Sequence, residues 1–259
     1  MLKFRLTITA LLIAIIALVL YGINNSWQYF WPGLVVILVV GSLVLFYGSY
    51  YINSGFYVKA ISYANTLQKQ IAISFDDGPL PEFTPQILSI LKEKNVPAAF
   101  FCIGKNVNLH PQLLQQIHEQ GHIIGNHSYS HGKWFDLLSA EKMYADLQQM
   151  NTVTRQAIGV TPLLFRPPYG VTNPNLAKAI KKSGFVTVGW SIRSLDTVAT
   201  DADKLLHRVL GQVKPGAVVL FHDTCAVTVT MLPLFINAVK AKGYNIVPLH
   251  KMLNLQPYA

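Results

Sequence analysis

The stretch Gln70-Ile71-Ala72-Ile73-Ser74-Phe75-Asp76-Asp77-Gly78-Pro79 reads as a buried strand that runs straight into two adjacent carboxylates on a Gly-Pro turn. Asp, Gly and Pro are turn formers, so the tetrapeptide alone describes a solvated turn. Fifty residues on, His127-Ser128-Tyr129-Ser130-His131 sets two imidazoles four residues apart. By itself such a pair is more often ordinary than metal-binding. Together the two motifs supply a hydrolytic metal centre. One carboxylate and two imidazoles can hold a divalent ion, and the second carboxylate is left beside it as a base.

Outward from this strand the chain alternates short apolar runs with amphipathic segments. The pattern predicts strands over Gln70–Phe75, Val96–Ile103, His122–Gly125, Leu163–Phe165, Phe185–Ile192, Ala217–Phe221 and Asn245–Leu249. It predicts helices over Gln86–Lys94 and Leu113–Gln120, from a Ser139 cap to Gly159, and from Asn173-Pro174 to Gly184. Two more are predicted from a Thr200 cap to about Gly211 and over Leu232–Lys242. Strands alternating with helices imply parallel pairing, in an open doubly wound sheet or a (β/α) barrel. Asp76-Asp77, His127 and His131, Arg166, Asp196 and His222 each follow a predicted strand. In a barrel all those strand ends share one mouth, whereas in a sheet only the switch point is shared. The convergence favours the barrel.

The front of the chain is different. No Asp, Glu, Lys or Arg occurs from Leu6 to Val58, in a 259-residue chain whose charged residues are only 13%. Leu6–Ile23 and Trp31–Tyr51 are each long enough to cross a hydrocarbon core as a helix, and aromatic residues flank them. A signal peptide over Met1–Tyr21 is the competing reading, but no small-x-small cleavage site precedes Asn24-Asn25-Ser26. The predicted organisation is therefore a membrane anchor over 1–54 (helices about 6–23 and 31–51), a linker over 55–69, one domain over 70–250 and a tail over 251–259. The net charge of +9 comes from scattered Lys and Arg with no dense basic run, which argues against nucleic-acid binding. A basic surface suits anionic lipid or anionic wall polymer. Cys102 reads as a buried hydrophobe, and with Cys225 permits at most one disulfide.

Two further motifs complete the set. Arg166-Pro167-Pro168-Tyr169-Gly170 forms a stiff loop after a strand, and Leu220-Phe221-His222-Asp223 ends another. With Ser74-Phe75-Asp76-Asp77-Gly78-Pro79 and His127-Ser128-Tyr129-Ser130-His131, these resemble four motifs, in order, of the NodB-like polysaccharide deacetylases, the fourth carbohydrate esterase family. The resemblance covers about Gln70 to Leu249. It implies a distorted (β/α) barrel, here preceded by two transmembrane helices, and metal-dependent removal of acetyl groups from N-acetylated sugars. It implies Asp76 as general base and Asp77, His127 and His131 as ligands of zinc, with cobalt, manganese or nickel as alternatives. Arg166 would orient Asp76, His222 would be the general acid, and Asp196 would hold His222. Tyr169 would stabilise the oxyanion through its backbone N–H, with Pro168, Leu220 and Trp190 on the substrate. The family's remaining motif is Asp-x-x-Asp-Trp. This chain has Arg193-Ser194-Leu195-Asp196-Thr197, so Arg193 replaces the first Asp and Thr197 the Trp. Trp190 or Trp134 is then the candidate for the missing ring.

Peptidoglycan N-acetylglucosamine is the first substrate expectation, with chitooligosaccharide or O-acetylated xylan as alternatives. A non-catalytic membrane-anchored carbohydrate-binding module is the alternative from another class. The expected partners are the N-acetylated glycan and a lipid bilayer. For the membrane side, family analogy favours an extracytoplasmic domain. Lys3, Arg5, Lys59 and Lys69 favour the cytoplasm by the positive-inside rule.

Overall fold

The computed structural model describes residues 2–25 and 27–259; Met1 and Ser26 lie outside the described residues. The chain starts with two apolar helices, α1 (Leu2–Asn24) and α2 (Phe30–Tyr50). At 1.5 Å per residue each is about 30–35 Å long, the thickness of a hydrocarbon core. Leu18 packs on Gly33 and Leu11 on Gly41, so the helices form an antiparallel hairpin joined at these small residues. Leu12, Ile13, Ile16, Val35, Val36, Leu43 and Phe46 remain more than half exposed along it. Apolar side chains on all sides suit lipid rather than water. The hairpin returns its free ends to one side, where the rest of the chain begins.

Then follow β1 (Gln70–Asp76), α3 (Thr84–Lys94), β2 (Ala99–Cys102), α4 (Gly104–Leu109), α5 (Pro111–Glu119), β3 (Ile123–Asn126), α6 (Ala140–Ile158) and β4 (Leu164–Phe165). After them come α7 (Pro174–Ser183), β5 (Val186–Thr187), β6 (Ile192–Arg193), α8 (Ala202–Leu210), β7 (Val218–His222), α9 (Ala226–Ala241), β8 (Asn245–Ile246) and α10 (Leu249–Leu253). All strands pair in parallel, in the order β5-β4-β3-β2-β1-β7-β6, with β8 beside the start of β1. This is a curled, incompletely closed (β/α) barrel.

Strand alternation divides each strand between two cores. Ile71, Ile73 and Phe75 face the layer formed by α3, α8 and α9. Ala72 joins Ala99, Phe101, Leu164, Val188 and Val218 in the interior, closed from below by Leu249 and Met252 of α10. Ser74 and Asp76 lie two and four residues beyond Ala72, so they too face inward. The same alternation carries Val218 and Leu220 to His222 on β7.

Several expectations are corrected. Phe185–Ile192 is not one strand. It splits into β5, which pairs with β4, and β6, which pairs with β7, so that residues 188–191 cross the gap between the two edges of the sheet. Gly189 makes the crossing possible, because a Cβ there would collide with Ser62. The helix predicted from Thr200 is capped by Asp201, whose carboxylate accepts from the backbone N–H groups of Asp203 and Lys204. The last long helix begins at Ala226, not Leu232, and carries Pro233 inside it. The stretch read as a linker, 55–69, is built into the domain. Phe56, Tyr57 and Val58 are buried, Ile61 bridges to Val188 and Tyr63 to Ala217. The stretch read as a tail is docked as well: Tyr258 accepts from the Ile124 N–H at 2.9 Å and Leu163 donates to the Pro257 carbonyl at 2.8 Å. Both cysteines are free. The caps read at Ser139, Asn173, Gly159 and Gly184 are those observed.

Candidate active site

The C-terminal ends of β1, β3, β4, β6 and β7 bring the motifs together around a cavity of about 230 Å³. Asp76, the last residue of β1, is 3% exposed. Its Oδ1 accepts from Arg166 Nη1 at 2.6 Å. Arg166 itself is fully buried. Its Nη1 also reaches Ser74 Oγ at 2.9 Å, while Nε and Nη2 donate to the carbonyls of Val188 (3.2 Å) and Gly189 (3.0 Å). The guanidinium lies over the Phe101 ring, 4.0 Å from its centre. One side chain thus fixes a carboxylate and holds the segment that closes the barrel. The planar fork of Arg permits both at once.

Asp77 turns the other way, with φ 77°. Its Oδ1 lies 3.3 Å from His127 Nε2 and 3.3 Å from His131 Nε2, and is buried without an aligned hydrogen bond. Burial would raise this carboxyl, but the imidazoles of His127, His131 and His222 outweigh it and hold it well below the usual carboxylate range. His127 Nδ1 sits 2.8 Å from the Arg166 carbonyl. A carbonyl only accepts, so Nδ1 carries the hydrogen and Nε2 keeps its lone pair toward Asp77. His131 is pushed down to about 4 by burial and by His127, which keeps it neutral near pH 7. Two imidazole nitrogens and a carboxylate oxygen within 4.8 Å of one another, one tautomer already set and the oxygen lacking a donor, fit a divalent ion such as zinc.

On the far side stands His222, its Nε2 3.9 Å from Asp77 Oδ2. Its Nδ1 pairs with Asp196 Oδ1 at 2.7 Å, and Asp196 Oδ2 accepts the His222 backbone N–H at 2.7 Å. Thr228 Oγ1 (2.7 Å) and Ser194 Oγ (2.8 Å) saturate the carboxylate further. Burial works against a charged His222, but the Asp196 hydrogen bond and charge prevail and raise its pKa.

The rim is formed by Pro167, Tyr169, Gly170, Trp190, Arg193, Thr197 and Leu220. Tyr169 adopts φ 57°, its ring lies tilted 4.7 Å from the His131 imidazole, and its hydroxyl donates to the His131 carbonyl at 3.3 Å. Trp190 lines the cavity, packed against Gly170, where a Cβ would collide with the indole. Trp134, the other candidate for the missing ring, is 73% exposed and stands outside the lining. Pro168 is buried behind the loop, and Pro167 takes the place expected for it. Sequence reading missed Ser74, Ser194 and Thr228, which bond Arg166 and Asp196. It also missed Asp146, which accepts from the backbone of Tyr129 and Ser130 and pins the histidine loop. Small hydroxyls and a lone Asp carry no pattern of their own. Backbone strain marks the same place. Asp77, Ser128, His131, Tyr169 and Leu195 have positive φ, each in a loop at the site, at a cost of order 1–3 kcal/mol apiece for non-Gly residues.

The polysaccharide deacetylase family model matches residues 63–188. A peptidoglycan-N-acetylglucosamine deacetylase of Bacillus cereus is 37% identical over 187 residues, 71% of this chain and 68% of that protein. This chain belongs to the polysaccharide deacetylase family. PgdA of Listeria monocytogenes, a peptidoglycan-N-acetylglucosamine deacetylase, is 32% identical over 78% of this chain and 42% of that protein. A chitooligosaccharide deacetylase of Sinorhizobium fredii is 32% identical over 65% of this chain and 79% of that one. Among solved family members, the crystal structure of the Bc1960 peptidoglycan N-acetylglucosamine deacetylase superposes with a TM-score of 0.72 at 33% identity, covering 76% of this chain and 94% of that one. A family pseudoenzyme of Bacillus anthracis superposes with a TM-score of 0.70 at 28% identity, covering 75% of this chain and 68% of that one.

Proposed function

We propose that this chain is a membrane-anchored, metal-dependent deacetylase that removes acetyl groups from the N-acetylglucosamine of peptidoglycan. One observation carries the reading: the buried, donorless Asp77 Oδ1 stands between two imidazole nitrogens, while the neighbouring Asp76 is held aside by Arg166. Asp77, His127 and His131 would hold the ion, with zinc the best match to their donor set. When bound, it would acidify water and polarise the acetamide carbonyl. Asp76 takes the proton from the attacking water. The backbone N–H of Tyr169 donates to the oxygen that gains charge. His222, held by Asp196, gives its proton to the nitrogen as the C–N bond breaks, and acetate and a free amine leave. Arg166 keeps Asp76 in position. Leu220 and Trp190 would form the wall beside the acetyl group.

The hairpin would anchor the protein in the bilayer, with the domain on the outer side where the polymer lies. A reporter fused after Ala259 that is active only in the cytoplasm would overturn that placement. The activity is tested with the full chain in neutral detergent, as acetate release from peptidoglycan fragments, chitooligosaccharides and acetylated xylan. Chelator should abolish release and zinc restore it, with peptidoglycan fragments preferred. Preference for chitooligosaccharides or xylan would reassign the substrate. The pseudoenzyme among the structural relatives supports a second reading, a glycan-binding module, which no release from any substrate with metal bound would favour.

A further inference from the structure

A second cavity, of about 560 Å³, opens where the hairpin meets the catalytic domain. None of the residues assigned to catalysis lines it. Its charged lining comes from three separate parts of the chain: Arg5 on α1, Lys59 just after the hairpin and Lys181 in the last turn of α7. No acidic side chain lines it, and among the described residues none of these cations is paired with a carboxylate. Tyr57, Val58, Ile180 and Phe185 make apolar walls. At the floor, Thr187 is 2% exposed and its hydroxyl has no hydrogen-bond partner. A buried hydroxyl without a partner is costly unless something polar completes it, and the three cations, exposed and free of carboxylates, present positive charge to an anion at the same cavity.

The cavity's position narrows the occupant. Phe4 and Leu45 of the hairpin pack into one apolar cluster with Phe56, Tyr57, Val58 and Phe185, so the junction is a built contact. The Lys3 ammonium donates to the Ser54 carbonyl at the same end. Exposed Tyr47, Tyr50 and Tyr51 ring that end of α2, and such rings favour headgroup depth. We propose that this cavity is a headgroup site for an anionic phospholipid of the bilayer. Arg5, Lys59 and Lys181 hold the phosphodiester, and the glycerol and upper acyl carbons lie along Tyr57, Val58 and Ile180. The bound lipid ties α1 to α7 and so fixes how the catalytic domain stands on the membrane. The inference rests on the hairpin being embedded in the bilayer.

The test is thermal unfolding of the full chain in neutral detergent, with short-chain phosphatidylglycerol, short-chain phosphatidylcholine or inorganic phosphate added. Phosphatidylglycerol should raise the midpoint by several degrees more than phosphatidylcholine, as a ligand selective for the folded state must. Phosphate alone should not. The difference should vanish in Lys59→Gln/Lys181→Gln, persist in Lys59→Arg/Lys181→Arg, and persist in the charge-matched Lys92→Gln/Lys251→Gln. Equal shifts from the two lipids, an undiminished shift in the first variant, or an equal shift from phosphate would each overturn the lipid site. A wild-type chain that leaves membranes without detergent would overturn the anchor as well, whereas detergent-dependent extraction with no headgroup preference would overturn the site alone.

Discussion

His122 and His127 flank the two ends of one short strand, β3, and are almost equally hidden, at 5% and 3% exposure. They titrate in opposite directions. Burial pushes His122 down to about 4, and its Nδ1 accepts only the Ala98 N–H at 3.2 Å. Burial also opposes charge on His127, but Asp76 and then Asp77 outweigh it and raise its pKa. The difference lies in what other strands deliver. At the C-terminal end, the ends of β1, β4 and β7 bring Asp76, Asp77, Arg166 and His222 to the same point. At the N-terminal end, His122 meets the Ala98 N–H and the Phe100 ring, with Leu91, Val96 and Pro97 beside it. Burial makes a histidine neutral, and only converging charge makes it part of a site.

Breaking the catalytic end should have the largest effects. Asp77→Asn should abolish acetate release, with elemental analysis finding stoichiometric metal in the wild type and none in the variant. Asp76→Asn should keep the metal but lower kcat about 10²–10⁴-fold, the usual contribution of a positioned base; near-normal turnover would remove Asp76 from that role. Arg166→Gln leaves a buried carboxylate without its cation and frees the Val188 and Gly189 carbonyls, so denaturation should show a loss of about 3–5 kcal/mol.

The opposite end sharpens the contrast through pH. With an unfolded pKa near 6.5 and a folded value of about 4, His122 takes up its proton first in the unfolded chain. Its contribution to stability is therefore complete above pH 6.5 and is lost as pH falls toward 4, by roughly 2–3 kcal/mol. His122→Gln retains an acceptor for the Ala98 N–H, and its stability should fall less steeply over that range. Parallel acid profiles for variant and wild type would contradict the assignment. The smallest effects belong to the rim. Trp190→Ala should raise KM about tenfold with less change in kcat. Tyr169→Phe, which loses one 3.3 Å contact, should change kcat/KM no more than about threefold.

The strands were legible where the apolar run was long and ended in a motif. β1 and β7 were placed within a residue or so, because buried parallel strands read as continuous apolar stretches. Phe185–Ile192 also reads as an apolar run, yet its two halves pair with different strands, β4 and β7, toward opposite ends of the sheet. Periodicity records burial and not partner. Asp76, Asp77, His127, His131, Arg166, Asp196 and His222 are all marked by short motifs at strand ends, and the fold brings them together. The roles of Ser74, Ser194, Thr228 and Asp146 are not legible in this way, since each acts only through one distant partner. Trp134 and Trp190 could not be told apart along the chain, and the Gly170–Trp190 contact separates them.

The amino-acid order by itself determined the donor set, the parallel α/β pattern and the apolar hairpin, because residue chemistry and period are local properties. Tertiary structure alone decided how the barrel closes through residues 188–191, how Arg166 spans that closure, and that Arg5, Lys59 and Lys181 face one cavity beneath the hairpin. Each depends on side chains meeting across tens of residues, and no spacing along the chain encodes such a meeting.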